Sequence, residues 1–340
     1  MVPRRLEATL AEQRRNHIVP RGYLRQFAVD DRIDAHVVGG GPVRRISTRD
    51  AAVRKSFYVL RRTRGLRSTD LEASLSDMEG KALRVIHRVD DRWPLSENDK
   101  ALLTEFLAVQ VVRSPSWRQF FYRTASRSVR DWVDEREGLP GGPQTDDLIA
   151  YVTADPLMAA RLYRHVRVLG TIIGSMHATL LVFGSGRLLT SDQPVVLIPE
   201  QGGHSVAPLP LEGGMAGVVE LWFPLRHDRA LLLLWKDDAD NPSPHRASPQ
   251  LARIINKRVA GQADVHWFSR PGDRPSTLAP PSTIRTLRGL VYPRADEIVN
   301  ERSQVREQAL LAATKIPLGA ESRGHPLTRV RPGLGPLDAP

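Results

Sequence analysis

Apolar and polar positions follow three different patterns along the 340 residues, and each pattern indicates a different kind of structure. The runs at 32–38 and 43–48 are short and alternating or β-branched, and they flank a glycine-rich break, which predicts a hairpin. The segment SFYVL at 56–60 has the composition of a third strand. From 68 to about 176 apolar residues recur at intervals of three and four, which predicts helices. Short apolar runs with turn residues between them return at 177–270, and they predict an antiparallel sheet.

The central part of the chain is expected to form four or five helices. TDLE at 69–72 has the spacing of a capping box and opens a helix of about twenty residues. Ser96 is the expected cap of a second helix that runs to about Arg113, and a third begins behind Pro115. One or two more are expected at 145–176, with a break at the Asp-Pro step.

This order of elements predicts an α+β fold with an N-terminal β-hairpin, a central bundle of four or five helices, and a C-terminal antiparallel sheet with one covering helix. We expect a single domain over 16–317, after a flexible N-terminal arm at 1–15. A disordered tail is expected at 318–340, where Pro and Gly are frequent and apolar periodicity is lost. Within the domain, the expected parts are the hairpin at 30–60, the helical part at 68–176 and the sheet part at 177–270.

Composition narrows the range of functions. The chain contains no cysteine, which excludes disulfides, thiolate metal sites, iron–sulfur clusters and cysteine nucleophiles. The first residues are charged where a signal peptide needs an apolar core, and no apolar stretch is long enough to span a bilayer comfortably. We therefore expect a cytoplasmic protein without a membrane partner.

The charge is strongly positive and unevenly distributed. The formal net charge is +11, and residues 1–70 hold sixteen basic and seven acidic residues, 16 − 7 = +9. Clustered basic residues favour phosphate-containing partners, so nucleic acid is a possible partner. However, only six of the 49 basic residues are lysine, and such an excess of arginine is typical of a GC-rich genome. Both interpretations of the charge stay open.

Familiar catalytic motifs are missing from the sequence. It has no nucleophile elbow, no phosphate-binding loop and no H-E-x-x-H pair. The ten histidines are scattered, so a metal site built from histidines alone is not expected. The cofactor is unknown, and a divalent metal held partly by carboxylates stays open.

Polar residues inside apolar elements are the remaining candidates for chemistry. Gln110 and Arg113 lie three apart and so share one helix face, and Glu79 is the nearest carboxylate in sequence that can pair with the arginine. Asp192 lies in a turn between two strands, where it either accepts turn amides or faces a cleft. His17 is a general base, a metal ligand or an anchor for its own loop. The ordinary alternative is that Glu79 and Arg113 form a structural ion pair.

Three further polar residues lie within or between apolar elements. Asn256 interrupts an apolar helix face and is either a core amide or a ligand contact. His227 and Asp228 lie between two strong strand patterns, where solvated turn residues are expected.

Several motifs, in their order along the chain, resemble a known family. They are NHIVPRGYLRQF, KSFYVL, DMEGKA, LAVQVVRSP, LLTSDQPVV, FPLRHDRALLLL and INKRVAGQADVHWFS. Together they are similar to the bacterial proteins grouped as domain of unknown function 4238, over about residues 16 to 270. PLR at 224–226 and Gly22 depart from the usual pattern. The resemblance supplies no reaction.

The resemblance implies a set of motif positions in this chain. These are His17, Pro20, Tyr23, Leu24 and Phe27 in the opening motif, Glu79 at the glutamate position, Gln110 and Arg113 in Q-x-x-R, and Asp192 and Pro194 in S-D-x-P.

We expect the apolar residues of the opening motif to dock the N-terminal segment on the helices and so to bring His17 to a shared site. The first functional hypothesis is a hydrolase-like enzyme for a phosphorylated or otherwise anionic substrate, with catalytic residues His17, Glu79, Gln110, Arg113 and Asp192. In it His17 is the general base, Arg113 binds charge, and a carboxylate orients the base or holds a divalent ion.

Two alternatives belong to other classes. One is a nucleic-acid or polyanion-binding protein in which the polar cluster is structural. The other is an interaction protein, for instance in phage defence, without catalysis.

Overall fold

The computed structural model describes residues 15–55, 68–115, 155–184, 187–199, 218–235 and 243–273, together with the single positions 117, 126, 130 and 308. In these parts helices and two larger sheets are combined, which confirms the α+β class. The expected strand SFYVL, most of the helix expected after Pro115, nearly all of the arm and the C-terminal tail lie outside the described residues.

The N-terminal segment forms a strand followed by a helical turn. Strand β1 (Arg15–His17) pairs antiparallel with β4 (Val53–Lys55). Helix α1 (Arg21–Leu24) follows Pro20 and continues into a 3₁₀ turn, Arg25–Phe27. Proline suits this position because its fixed φ matches the start of a helix and it lacks an N–H that would stay unpaired.

The expected hairpin consists of β2 (Arg32–Val37) and β3 (Arg44–Ser47), and it belongs to a four-stranded sheet. The other two strands come from the C-terminal half, β6 (Thr190–Ser191) and β11 (His266–Ser269), in the order β3-β2-β11-β6. The runs of 177–270 are therefore divided between two sheets. Alternation along a strand indicates which side is buried but not which strand is the neighbour, so this pairing was not visible in the sequence.

The second sheet has five strands, β5 (His177–Phe183), β7 (Val196–Pro199), β8 (Val218–Arg226), β9 (Arg229–Leu234) and β10 (His245–Ala247). Their order in the sheet is β10-β5-β9-β8-β7. Four strands are antiparallel neighbours, as expected, whereas β10 pairs with β5 in parallel. Buried leucines run along β9 and fill the centre of this sheet.

The longer helices are α2 (Ser68–His87), α3 (Glu97–Val112), α4 (Asp155–Gly174) and α5 (Pro249–Gln262). As expected, Ser96 caps α3, where its hydroxyl accepts the Asp99 N–H at 3.2 Å. In the described part of the chain, no helix is both long enough and apolar enough to cross a bilayer.

Tyr23 joins the N-terminal segment to the rest of the core, as the docking hypothesis requires. Its ring is fully buried and lies 5.0 Å from the ring of Phe223 and 6.3 Å from that of Phe106. Its hydroxyl donates to the Pro224 carbonyl at 2.6 Å and lies 2.8 Å from the Thr190 hydroxyl. One side chain therefore contacts α3 and strands of both larger sheets.

Gly22 lies close to the side chain of Leu83 on α2. A Cβ atom at this position would collide with the Cδ1 atom of Leu83 on α2. A larger residue before Tyr23 would require the end of the Leu83 side chain to move. The absence of a side chain thus lets α1 lie close to α2.

Candidate functional site

Arg113 lies at the C-terminal end of α3 and links three parts of the chain. Its Nη1 donates to the Glu79 carboxylate on α2, and its Nη2 donates to the backbone carbonyl of His17 in β1. The arginine is 6% exposed and the Glu79 side chain 16% exposed. The end of a helix suits a cation because backbone carbonyls concentrate negative charge there. Three of the five candidates therefore meet at one junction.

The ion pair explains how a charged arginine is tolerated in the core. A buried guanidinium without a counter-charge would be costly, and Glu79 supplies that charge from the neighbouring helix. The pair predicted from helix periodicity is therefore present. Since both partners are already engaged, the pair is also a structural clamp between α2, α3 and β1.

Gln110 lies one helical turn before Arg113 and differs from it in the hydrogen bonding of its side chain. It is 3% exposed, and both amide atoms, Oε1 and Nε2, are buried without a hydrogen-bond partner in the described part of the structure. A buried polar group without a partner costs about 1–3 kcal/mol. Such a group needs an explanation, and a bound molecule with a donor and an acceptor supplies one.

His17 contributes a backbone group, not its imidazole, to the contact with Arg113. Its carbonyl accepts the Arg113 bond, and in the β1–β4 ribbon it lies opposite Val53. The ring is partly buried, and its Nδ1 atom is inaccessible to solvent. The N-terminal segment is thus ordered on the helices, and His17 is held beside Arg113.

Asp192 has a different environment. Its carboxylate accepts three backbone N–H groups, from Asp264 at 2.8 Å, Val265 at 2.8 Å and His266 at 3.0 Å. Burial raises the pKa of Asp192, and the three N–H donors oppose that shift. The carboxylate fastens the turn before β11 to the end of β6. This is the turn-forming alternative.

Asp192 is connected to the first junction only indirectly. The Arg54 guanidinium of β4 pairs with the carboxylate of Asp264, whose amide binds Asp192. No hydrogen bond within the described residues joins Asp192 to Glu79 or Gln110. Its membership of a common site stays a prediction.

The comparison with protein families agrees with this arrangement. The family model described as "Protein of unknown function (DUF4238)" matches residues 15–273 of the 340-residue chain. The chain belongs to this family. No curated protein and no solved structure matches it.

The matched region begins at β1 and ends beyond β11, so it contains both polar junctions of this family member. The opening motif, the Q-x-x-R residues and the S-D-x-P turn therefore all lie within the family's own domain.

Asn256 is a core amide in this DUF4238 protein. It accepts the Leu189 N–H at 3.0 Å and donates to the Arg187 carbonyl at 2.7 Å, which fixes α5 to the segment before β6. The structural alternative for Asn256 is thus the one observed.

His227 and Asp228 lie in a turn, as expected, but they are only partly exposed and their side chains are bound by arginines instead of solvent alone. The His227 Nε2 atom lies 2.9 Å from the Arg270 guanidinium. Asp228 pairs with Arg226 at 2.7 Å and with Arg229 at 3.0 Å. Burial lowers the pKa of His227. The signal was the density of arginines around a short turn, which favours ion pairs over free solvation.

A further cluster around Asp31 was not anticipated. Asp31 adopts a φ of +59° and accepts from Thr48, Arg21 and Arg25 at 2.5, 2.6 and 3.0 Å. Hydrogen bonds from Thr48 and the two arginines lower the pKa of Asp31 far below its usual range. The cluster holds α1 to the hairpin, and its signal was the Asp-Asp turn between two arginine-bearing segments.

The described residues show no ready metal centre. Within them, no group of three or more His, Asp or Glu side chains is placed to hold a metal ion. An open groove of about 340 Å³ lies between α3 and α4, and none of the five candidate residues lines it. Among these candidates, Gln110, one helical turn before the junction of His17, Glu79 and Arg113, has the strongest indication of a ligand.

Proposed function

We propose that this DUF4238 protein is a hydrolase-like enzyme whose substrate binds beside Gln110, with His17 as general base. The observation that carries the proposal is the buried Gln110 amide, which lies without a described partner one turn from the Arg113 junction. An amide offers one acceptor and two donors, so the proposed substrate presents complementary polar groups.

The ion pair changes the role proposed for Arg113. The sequence suggested that Arg113 binds an anionic substrate, but Glu79 already balances its charge and His17 accepts another of its N–H groups. Arg113 and Glu79 are therefore proposed as positioning residues that hold β1. In this proposal a polar group of the substrate, not necessarily an anion, contacts Gln110.

The proposed chemistry is general-base hydrolysis. The His17 imidazole takes a proton from a water molecule as that water attacks the substrate, and it returns the proton to the leaving group. A positioned histidine of this kind accelerates a reaction by about 10²–10⁴-fold. No step of this proposal requires a metal.

We also propose a cytoplasmic location for the protein, as the sequence predicts.

The test is hydrolysis of a panel of chromogenic esters, phosphate monoesters and phosphate diesters by the full-length chain. His17→Asn is expected to lower kcat by at least about 100-fold while the thermal midpoint changes little. His87→Asn is the matched control, since His87 lies at the exposed end of α2 and contacts Gln26.

The proposal fails if the wild-type chain hydrolyses none of the panel faster than buffer does, or if the His17 variant keeps its rate. It fails equally if the thermal midpoint of His17→Asn drops in step with the activity, because the histidine then acts as a structural anchor.

A further inference from the structure

Strand β3 lies at an edge of the four-stranded sheet. In the order β3-β2-β11-β6, β2 is the only neighbour of β3 among the described residues. The start of the strand is exposed: Val43 is 53% exposed, the Arg45 side chain is 56% exposed, and Arg44 between them is exposed as well. An edge strand presents backbone N–H and C=O groups to which a further strand can bind. We call residues 43–46 the edge segment.

The register shows which backbone groups of the edge segment point outwards. The Thr48 N–H donates to the Asp31 carbonyl at 2.9 Å, so residues 31 and 48 form a hydrogen-bonded pair. Hydrogen-bonded and non-hydrogen-bonded pairs alternate along antiparallel strands, so Arg44 is bonded to β2 whereas Val43 and Arg45 are not. The N–H and C=O groups of Val43 and Arg45 therefore point away from β2.

The other side of β2 leads to the same assignment. The Val38 N–H donates to the Val265 carbonyl at 2.9 Å, so the even-numbered residues of β2 bond to β11. The odd-numbered residues of β2 then bond to β3, and Ala35, which lies opposite Arg44, is one of them.

The side chains of the edge segment alternate between the two faces of the sheet. Val43 and Arg45 lie on one face, and Arg44 and Ile46 lie on the other. Ile46 is partly buried and packs against the core. The Arg44 guanidinium has no hydrogen bond or ion pair within the described residues, whereas Arg45 binds Asp34 at 2.8 Å. Along the edge, the order of the side chains is therefore apolar, cationic, cationic, apolar.

We propose that the edge segment binds an extended acidic segment of a partner protein by strand addition. The partner forms a strand beside β3, and its backbone supplies donors and acceptors for the outward groups of Val43 and Arg45. Residues directly opposite each other in neighbouring strands interact, so the matching partner sequence is an apolar residue, two acidic residues and an apolar residue. This order is the same in both chain directions, so it serves a parallel or an antiparallel strand.

Charge complementarity identifies this partner. Residues 32–49 contain four arginines and one aspartate, 4 − 1 = +3. Charged side chains on an edge strand commonly prevent association with other strands. Here both charges of the edge segment are positive, so they repel a cationic strand and attract an acidic one.

Two other occupants match the edge segment less well. Pairing with β3 of a second copy would bring Arg44 and Arg45 close to their own equivalents, and like charges opposite each other are destabilising. The phosphates of a nucleic acid can accept the outward N–H groups but offer no donor to the outward carbonyls of Val43 and Arg45. A peptide backbone complements both kinds of group.

The experiment measures binding of a fluorescent peptide, Thr-Val-Glu-Glu-Val-Thr, to the full-length chain by anisotropy. Val43→Pro is expected to weaken binding by at least about 5-fold, because proline lacks the N–H that points outwards. The bonds between β2 and β3 do not use this N–H, so the thermal midpoint should stay close to that of wild type. Val43→Thr keeps the N–H and the β-branched shape, and as the matched control it should bind within about twofold of wild type.

A charge exchange tests the cationic part of the edge segment. Arg44→Glu is expected to weaken binding of the acidic peptide by about 10-fold and to strengthen binding of Thr-Val-Lys-Lys-Val-Thr relative to wild type. Arg84→Glu changes the net charge equally but lies at an exposed position on α2, so it should alter neither affinity by more than about twofold.

The inference is overturned if the acidic peptide does not bind the wild-type chain, or if Val43→Pro binds it as tightly as wild type does. Equal binding of Thr-Glu-Val-Val-Glu-Thr, which has the same composition in another order, would overturn it too, because charge alone would then explain the affinity. Binding of a single-stranded DNA probe without any peptide binding would assign the edge segment to nucleic acid instead. These outcomes do not depend on His17 or Gln110, so the hydrolase proposal is tested separately.

Discussion

Asp192 and Gln110 are buried almost equally, at 4% and 3% exposure, but their surroundings differ. The Asp192 carboxylate accepts three backbone N–H groups, whereas neither amide atom of Gln110 has a partner in the described structure. Burial alone therefore does not separate the structural role of Asp192 from the ligand-binding role proposed for Gln110. The hydrogen bonds of the two residues differ, and an unpartnered buried group lowers stability unless something binds it.

The largest predicted effect is at Asp192. Asp192→Ala leaves three partly buried N–H groups without their charged acceptor and is expected to lower the free energy of unfolding by about 3–5 kcal/mol. Urea denaturation measures this change. Asp264→Ala is the control. It removes a surface ion pair with Arg54 but keeps the backbone N–H of residue 264, which donates to the Asp192 carboxylate, so it should lower the free energy of unfolding by less than about 1 kcal/mol. A small loss in Asp192→Ala would show that the three bonds contribute little.

The second prediction concerns the Arg113–Glu79 clamp. Arg113→Leu leaves the largely buried Glu79 without its counter-charge and is expected to cost about 2–4 kcal/mol. Glu79→Gln and the double variant complete a double-mutant cycle, in which the coupling energy should exceed about 1 kcal/mol. Additive losses would mean that the two side chains do not act as a pair. Urea denaturation of the four proteins gives all the values.

The third prediction sets Gln110 against Asn256. Gln110→Leu removes an unpartnered amide and should leave stability unchanged or raise it by up to about 1 kcal/mol, while turnover is lost. Asn256→Leu leaves the Leu189 N–H and the Arg187 carbonyl unpaired and should lower stability by about 2 kcal/mol. Opposite signs in urea denaturation support the distinction. Equal losses would show that Gln110 is as well satisfied as Asn256.

The smallest prediction is a pH effect at His227. Burial and the positive charges of Arg270 and Arg187 lower the pKa of His227 below its ordinary value of 6.5, although Asp228 opposes this. The unfolded chain therefore takes up this proton more readily, and stability falls as the pH drops below about 6.5. His227→Gln should lose less stability than wild type between pH 7.5 and 5.5, as measured by urea denaturation at each pH. An unchanged pH dependence in His227→Gln would refute the role of this ring.

Much of the fold was predictable because local patterns determine it. The hairpin, the capped helix after Ser96 and the strands of 177–270 all follow from periodicity and turn residues. The assignment of β6 and β11 to the hairpin's sheet was not predictable, because backbone pairing between distant segments leaves no local signal.

The candidate site was predictable to a similar extent. The ion pair of Glu79 and Arg113 followed from helix spacing and the cost of burying an arginine. The contact of Arg113 with the His17 carbonyl could not be predicted, since a backbone group is present at every residue and carries no signature. The same holds for the three amides around Asp192, which bind it through position and not through residue type.

The Tyr23 hydroxyl binds a carbonyl 201 residues further along the chain. At a translation rate of about 5–20 residues per second, the ribosome reaches that carbonyl about 10–40 s after Tyr23 has been made. During this interval the Tyr23 ring lacks Phe223 and its hydroxyl lacks the Pro224 carbonyl. The docking of the opening motif is therefore completed only after β8 has been synthesised, although the motif itself is made much earlier.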